Sequence, residues 1–186
     1  MDSISLMVEE HRNIKRMLKV IRKYCFRILK NQYVDYKDFY RIIDFIRNYA
    51  DSHHHGKEEN MLFNRMVEEL GPAAEKLVTH GMLVEHDLGR LHTKQLEEAV
   101  TKVLEGDEEA KLDVIGNAIG YADLLNRHID KEDRVVYEFA RKNLEEDTIK
   151  RINYEAKVFE NRAKEKNIQQ KYLDLLEELE SKLAEP

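Results

Sequence analysis

The stretch from Ser3 to Lys30 reads SISLMVEEHRNIKRMLKVIRKYCFRILK and contains neither glycine nor proline. Its apolar residues recur in alternating steps of three and four, which is the spacing of one face of an α-helix. That face comprises Ile4, Met7, His11, Ile14, Leu18, Ile21, Cys25 and Ile28. We therefore predict a first long helix, A, with one histidine on its apolar face.

Three further long helices, B, C and D, are predicted in the same way. Helix B begins near Asp35, a suitable N-cap, and continues to about Leu70. Gly71-Pro72 ends helix B and starts helix C, because proline suits the first turn of a helix. Helix C ends at Gly106, after which Asp107 can cap helix D. The apolar faces are Phe39, Ile43, Ile46 and Ala50 in B; Met82, His86, Gly89, Thr93, Leu96, Val100 and Val103 in C; and Val114, Ala118, Tyr121, Leu125, His128, Glu132, Val135 and Phe139 in D.

The predicted fold is all-α, an up-down-up-down four-helix bundle over residues 1–143. Short connections between long helices make sequential neighbours antiparallel. Residues 144–186 are predicted to form a C-terminal extension of two helices that break near Lys166-Asn167. The last helix is amphipathic, so the extension either packs on the bundle or forms the face of a homodimer. The sequence does not decide between these two.

The composition argues against several other classes of protein. A net charge of −6 disfavours nucleic acid or an anionic membrane as the main partner. The single cysteine, Cys25, rules out an internal disulfide and favours a reducing compartment. The N-terminal residues do not resemble a signal peptide, and no apolar run is long enough to span a membrane. We therefore expect a cytoplasmic protein in which Cys25 is a small core residue.

Four of the eight histidines fall one on each apolar face: His11, His54, His86 and His128. His11 and His54 lie at nearly equal distances from the A–B connection, and His86 and His128 lie at nearly equal distances from the C–D connection. Because an α-helix rises by a constant step per residue, all four imidazoles are expected in one layer of the core.

Two carboxylates join the histidines in this layer. Glu58 follows His54 by four residues and Glu132 follows His128 by four, so each pair points the same way from its helix. A buried layer of imidazoles and unpaired carboxylates is costly, and a pair of divalent cations would remove that cost. A weak internal repeat, with His, His and Glu from each helical hairpin, predicts a pseudo-symmetric site for two metals.

These residues resemble the hemerythrin-like family of HHE cation-binding domains, from about Leu6 to Phe139. The resemblance rests on three motifs: His54-Lys57-Glu58-Glu59-Leu62-Phe63, His128-Ile129-Lys131-Glu132, and Glu85-His86 followed by Gly89-Arg90. It implies a four-helix bundle with two iron ions and a bridging oxo or hydroxo group, and such ligands also accept Mn or Zn. Carried over residue by residue, it implies terminal ligands at His11, His54, His86 and His128, and bridging carboxylates at Glu58 and Glu132.

The implied function is to bind or sense O₂ or a related small ligand such as NO or peroxide. Oxygen-carrying members have five histidines, two of them four residues apart on the third helix, whereas here Arg90 stands four residues after His86. The predicted ligands would leave about two of the roughly twelve positions around two octahedral metals open. A sensor, a scavenger or a slow redox catalyst is therefore favoured over a dedicated carrier. A di-iron oxidase or peroxidase and an iron-handling or regulatory module stay as alternatives, so whether the protein is an enzyme is left open.

Several polar residues near the layer have undecided roles. Tyr121 lies on the face of His128 and is expected to hydrogen-bond near a ligand rather than to bind metal. His53 and His55 flank His54, and either could support or replace a ligand. Other neighbours are expected to lie on the surface, be solvated or orient a ligand: His80, His92, Glu59 and Glu85.

Overall fold

The computed structural model describes residues 2–184, and every regular element in that range is helical. Three residues at the outer ends of the regions predicted as 1–143 and 144–186 lie outside the described residues: Met1, Glu185 and Pro186. The prediction of an all-α fold is confirmed.

Six helices follow one another along the chain. Helix α1 is Ser3–Leu29. Helix α2 covers 37–70, helix α3 covers 72–104 and helix α4 covers 110–143. Helix α5 is Glu146–Glu165 and helix α6 is Ile168–Ala184. The break between the last two falls at Lys166 and Asn167, where the sequence predicts it, and Asn167 has a φ of 53°.

The helix ends are set by short polar side chains and glycine. The Asp2 carboxylate accepts a hydrogen bond from the Ile4 backbone N–H and caps α1. Asp107 accepts from the backbone N–H groups of Glu109 and Ala110 at the start of α4. Gly71 separates α2 from α3 with a φ of 62°, a conformation that glycine adopts readily.

Three of the helices contain wider, π-helical turns near the predicted layer. In α2 these are Ile46–His55 and Glu58–Phe63, in α3 Val78–Met82, and in α4 Glu132–Val136. Buried residues in these stretches recur in unbroken steps of four: 46, 50, 54, 58, 62 and 66 in α2, and 128, 132, 136 and 140 in α4. Each step of four rotates the face by about 40° in a regular α-helix, and the wider turns absorb this drift.

The wider turn in α4 corrects one predicted core position. Val135 was expected on the apolar face but is 50% exposed, and Val136 is fully buried instead. The prediction assumed steps of three and four throughout, whereas the chain continues in steps of four through the turn at Glu132–Val136. The other predicted apolar faces are buried, except for Phe139, which is half-buried.

Two apolar clusters divide the interior, and a polar layer lies between them along each of the first four helices. The larger cluster includes Ile14, Ile43, Leu96 and Val114, and the smaller includes Met7, Leu62, Val78 and Val136. The predicted histidines and glutamates lie between these positions in every case. Helix α6 contributes Tyr172, Leu176 and Leu179 to the larger cluster, and α5 contributes Ile152 to the smaller.

Cys25 lies in the larger apolar cluster, and burial raises the pKa of its thiol to about 12. It therefore stays protonated at neutral pH and packs as a small apolar residue. None of the helices within residues 2–184 has the length and apolar character needed to cross a membrane.

Candidate metal centre

The structure brings all six predicted ligand residues together in the polar layer. Each of them is at most 1% exposed. They come from α1, α2, α3 and α4: His11; His54 and Glu58; His86; and His128 and Glu132.

One group of four side chains has the dimensions of a metal site. A ligand atom of each of His11, His54, Glu58 and Glu132 lies within 4.8 Å of the other three. His11 Nε2 is 3.3 Å from Glu132 Oε2, and His54 Nε2 is 3.7 Å from Glu58 Oε1. This group joins α1, α2 and α4.

A second group of four shares Glu58 with the first. Ligand atoms of His55, Glu58, His86 and His128 also lie within 4.8 Å of one another. His86 Nε2 is 3.1 Å from His128 Nε2 and 3.6 Å from Glu58 Oε2. Glu132 Oε1 lies 3.0 Å from His128 Nε2, so both glutamates reach both groups. Two adjacent sites with two shared carboxylates are what a pair of bridged cations requires.

His55 is a fifth histidine in this layer, and the sequence left open whether it supports or replaces a ligand. It is 5% exposed, and its ring stacks on that of His86 with a centroid distance of 3.8 Å. In a regular α-helix, His55 would point away from the face that carries His54. Helix α2 is buried on more than one side at this point, since three consecutive histidines, His53 to His55, are all buried. The run of three histidines was the available signal.

All five histidines in the two groups share one arrangement. In each, Nδ1 is within 3.3 Å of a carboxylate oxygen. An ionised carboxylate only accepts hydrogen bonds, so Nδ1–H donates and Nε2 is the ring atom that faces the centre. The pairs are His11–Asp133, His54–Glu10, His55–Asp51, His86–Glu59 and His128–Glu85. Glu59 and Glu85 thus orient histidines, which was one of the two roles expected for them.

Four inward-facing atoms of the centre lack hydrogen-bond partners within the described part of the chain. These atoms are His54 Nε2, Glu58 Oε2 and both carboxylate oxygens of Glu132. The close approach of His128 to Glu132 is an ion-pair contact without hydrogen-bond geometry. Leaving several buried acceptors unpaired is costly, and a cation bound between them removes the cost. The donor set therefore fits a metal pair.

Without metal, the two carboxylates differ in charge. Burial and the neighbouring Glu132 raise the pKa of Glu58 well above its usual value. Burial opposes ionisation of Glu132 too, but His128 and His11 outweigh it and hold its pKa well below the usual range. Burial would likewise lower the pKa of His11 and His128, yet contacts with Glu132, Asp133 and Glu85 raise these pKa values to about 9 and about 10. The metal-free centre therefore holds protons where cations would sit.

The two histidines that α2 contributes to the centre, His54 and His55, are neutral. Burial, followed by the charge of His11, lowers the pKa of His54 to about 4. Burial and His86 lower the pKa of His55 well below its ordinary value. Neutral imidazole is the form that binds metal.

Tyr137 is a further polar group at the centre that the sequence analysis missed. Its hydroxyl donates a short hydrogen bond to Glu58 Oε1 and lies 3.5 Å from His11 Nε2. The alternating steps placed Phe139 on the inner face, whereas the wider turn in α4 buries Tyr137 there.

Tyr121 lines a cavity of about 100 Å³ beside the second group of ligands. Within residues 2–184 the buried Tyr121 hydroxyl has no hydrogen-bond partner, so the expected hydrogen bond is not found. The other lining residues lead from the surface to the second group: Ile46, Arg47, Asp51, His55, His86, Gly89, Arg90 and Thr93.

The remaining histidines lie outside the two groups. His80 is exposed, and His92 is half-buried and bonded to Asn117. His53 belongs to a separate buried cluster with Glu10 and Glu160.

Comparison with known families gives a match to the family described as Hemerythrin HHE cation binding domain, over residues 2–140. Neither the comparison with curated proteins nor that with solved structures finds a match. The match covers α1 to α3 and most of α4, including every residue of the two ligand groups, and ends before α5.

Proposed function

Because the chain belongs to the hemerythrin HHE cation-binding family, we propose that its polar layer holds two iron ions and binds O₂ or a related small ligand such as NO or peroxide. The single observation that carries this proposal is the shared arrangement of the five histidines. Each gives its Nδ1–H to a carboxylate, which leaves five Nε2 atoms facing two shared carboxylates.

The proposal includes the up-down-up-down arrangement of α1 to α4. Short connections between long helices support it, because they favour antiparallel neighbours. It also includes the ligand roles: terminal histidines at positions 11, 54, 86 and 128, and bridging carboxylates at Glu58 and Glu132.

We add His55, which lies on α2, to the predicted ligand set. His55 stacks against His86, and Arg90 bonds to the two carboxylates, Asp51 and Glu59, that hold these rings. With five histidines, two bridging carboxylates and a bridging oxo or hydroxo group, about one of twelve octahedral positions stays open. A single open position suits reversible binding of one small molecule, as in a dedicated carrier, a role that the sequence alone ranked below a sensor, a scavenger or a slow redox catalyst.

The one open position would fall on the ion of His11 and His54, since three histidines surround the other ion, and the cavity beside His55 and His86 is the proposed entrance for the small molecule. Its volume of about 100 Å³ accommodates a molecule of a few atoms. The Tyr121 hydroxyl can donate a hydrogen bond to it, and Thr93 shapes the wall while its own hydroxyl is donated to the Gly89 carbonyl. When bound, the iron pair would supply the electrons and the open position for the ligand. The chain supplies a size-limited space.

Optical spectra of the iron-loaded protein test this proposal. The protein is loaded with Fe²⁺ without air, exposed to O₂ and then deoxygenated. We expect charge-transfer bands that appear with O₂ and disappear on its removal. Absence of iron-dependent bands in the wild-type protein would contradict the proposal.

Reduction of peroxide is a second candidate function, favoured by Tyr137. Reducing peroxide to water consumes two protons and two electrons, and the Tyr137 hydroxyl is an O–H donor in contact with Glu58 and close to His11. The same experiment distinguishes the two functions. With peroxide and an external electron donor added in place of O₂, steady consumption of peroxide indicates the enzyme, whereas recovery of the starting spectrum on deoxygenation indicates the binding protein.

A further inference from the structure

A second buried polar cluster adjoins the metal centre on the side of α5. The Lys57 ammonium lies between Glu10 and Glu160 and contacts both carboxylates closely. His53 Nε2 lies 3.1 Å from Glu10 Oε1 and 3.3 Å from Glu160 Oε1. Lys57 is 1% exposed, so this cation depends on the two carboxylates for its charge balance.

The cluster connects the C-terminal helices to a proposed metal ligand. The two oxygens of Glu10 have separate partners: Oε1 accepts from Lys57, and Oε2 accepts from His54 Nδ1 at 2.8 Å. Glu160 lies on α5, outside the part of the chain that matches the family, and its other oxygen accepts from Gln169 on α6. A chain of contacts therefore runs from α6 through Glu160, Lys57 and Glu10 to His54.

Resting on the proposed metal function, we propose that Glu160 is a positioning residue for His54. Because Glu160 also pairs with the Lys57 ammonium, the Glu10 carboxylate stays a strong hydrogen-bond acceptor for the Nδ1–H of His54. A strong acceptor fixes the ring and its tautomer and makes Nε2 a better donor to metal. Without the Glu160 charge, the Lys57 ammonium is paired with Glu10 alone, and the hydrogen bond between Glu10 and His54 weakens.

Glu160→Gln tests this role because it removes the charge and keeps the shape. The matched control is Glu155→Gln, also on α5, which breaks an ion pair with Arg65 of α2 that does not touch the centre. With Co²⁺ as the probe, we expect Glu160→Gln to lower the affinity of the weaker-bound ion about tenfold. Glu155→Gln should change it by less than about twofold. Equal effects of the two variants would overturn the proposal.

A double variant tests whether Glu160 acts through Lys57. In a Lys57→Met background, Glu160→Gln should change the Co²⁺ affinity by less than about twofold, because the Lys57 charge that the two carboxylates share is gone. If the tenfold loss persists in that background, Glu160 does not act through Lys57 and the proposal is wrong.

The metal-free protein gives a readout independent of the proposed metal function. The ¹⁵N resonance of His54 Nδ1 should shift in Glu160→Gln and stay unchanged in Glu155→Gln. Wild-type protein that binds no Co²⁺ would refute the metal function alone, whereas an unshifted His54 resonance would refute the positioning role alone.

Discussion

The hairpin of α1 and α2 and the hairpin of α3 and α4 surround the centre with closely matching residues. Each places one carboxylate just before its first histidine, one lysine just before its bridging glutamate and one carboxylate just after it. The matching pairs are Glu10 with Glu85, Lys57 with Lys131, and Glu59 with Asp133. Their contacts match too, since Glu10 holds His54 and Glu85 holds His128, while Asp133 holds His11 and Glu59 holds His86.

The two hairpins differ at three positions that matter for chemistry. His55 of the first corresponds to Ile129 of the second, and Phe63 of the first corresponds to Tyr137 of the second. Lys57 is buried by α5, whereas its counterpart Lys131 is 45% exposed. The shared residues suit two metals, and the differing ones make the two sites unequal, with the open cavity on the side of His55.

The largest expected effect is a contrast between the two bridging glutamates in the metal-free protein. Glu132→Gln leaves the charged His11 and His128 without their buried partner, and we expect it to lower the free energy of unfolding by about 3 kcal/mol. Glu58→Gln should cost less than about 1 kcal/mol, since the raised pKa of Glu58 keeps it neutral already. Urea unfolding of both variants in chelator measures the difference, and equal losses would contradict the assigned charges.

Metal affinity should rise steeply with pH. In the metal-free protein the pKa of His11 is about 9 and that of His128 about 10, so both rings carry protons at neutral pH that metal must displace. As pH rises towards these values the protons are lost, and Co²⁺ affinity should increase by about tenfold to a hundredfold per pH unit. Calorimetry in buffers of different ionisation enthalpy should detect the released protons. An affinity independent of pH between 7 and 9 would contradict the charge assignment.

His55→Ala probes the asymmetry between His55 and Ile129. We expect one of the two ions to bind about tenfold more weakly, because one terminal ligand is lost while the other site keeps all of its own. Ile129→Val, at the matching position, should leave Co²⁺ affinity unchanged. If both variants bind two ions as tightly as wild type, His55 is not a ligand.

The smallest effect is expected at Tyr137, which corresponds to Phe63 of the first hairpin. Tyr137→Phe removes the donor to Glu58 and should cost about 1 kcal/mol in the stability of the metal-free protein. His92→Ala serves as a control outside the centre. A thermal unfolding comparison in chelator suffices, and a Tyr137→Phe protein as stable as wild type would show that this hydrogen bond contributes nothing.

Much of this comparison could be predicted from the sequence. The six residues of the repeat lie on apolar faces at matching heights, and helical spacing alone brings them to one layer. Spacing could not predict His55, Tyr137 or the exposure of Val135. These positions depend on π-helical turns in α2 and α4, whose steps of four a regular helix does not maintain. Nor could it predict Glu160, because the contact with Lys57 depends on how α5 packs against α2.

Metal content measures the central claim most directly. Wild-type protein loaded with Fe²⁺ without air, and then desalted, should contain two iron ions per chain, as the two ligand groups require. Replacing one histidine from each hairpin, His54→Ala with His128→Ala, should abolish tight iron binding while His80→Ala retains two ions. Two iron ions retained in the double variant would contradict the assignment of this layer as the metal centre.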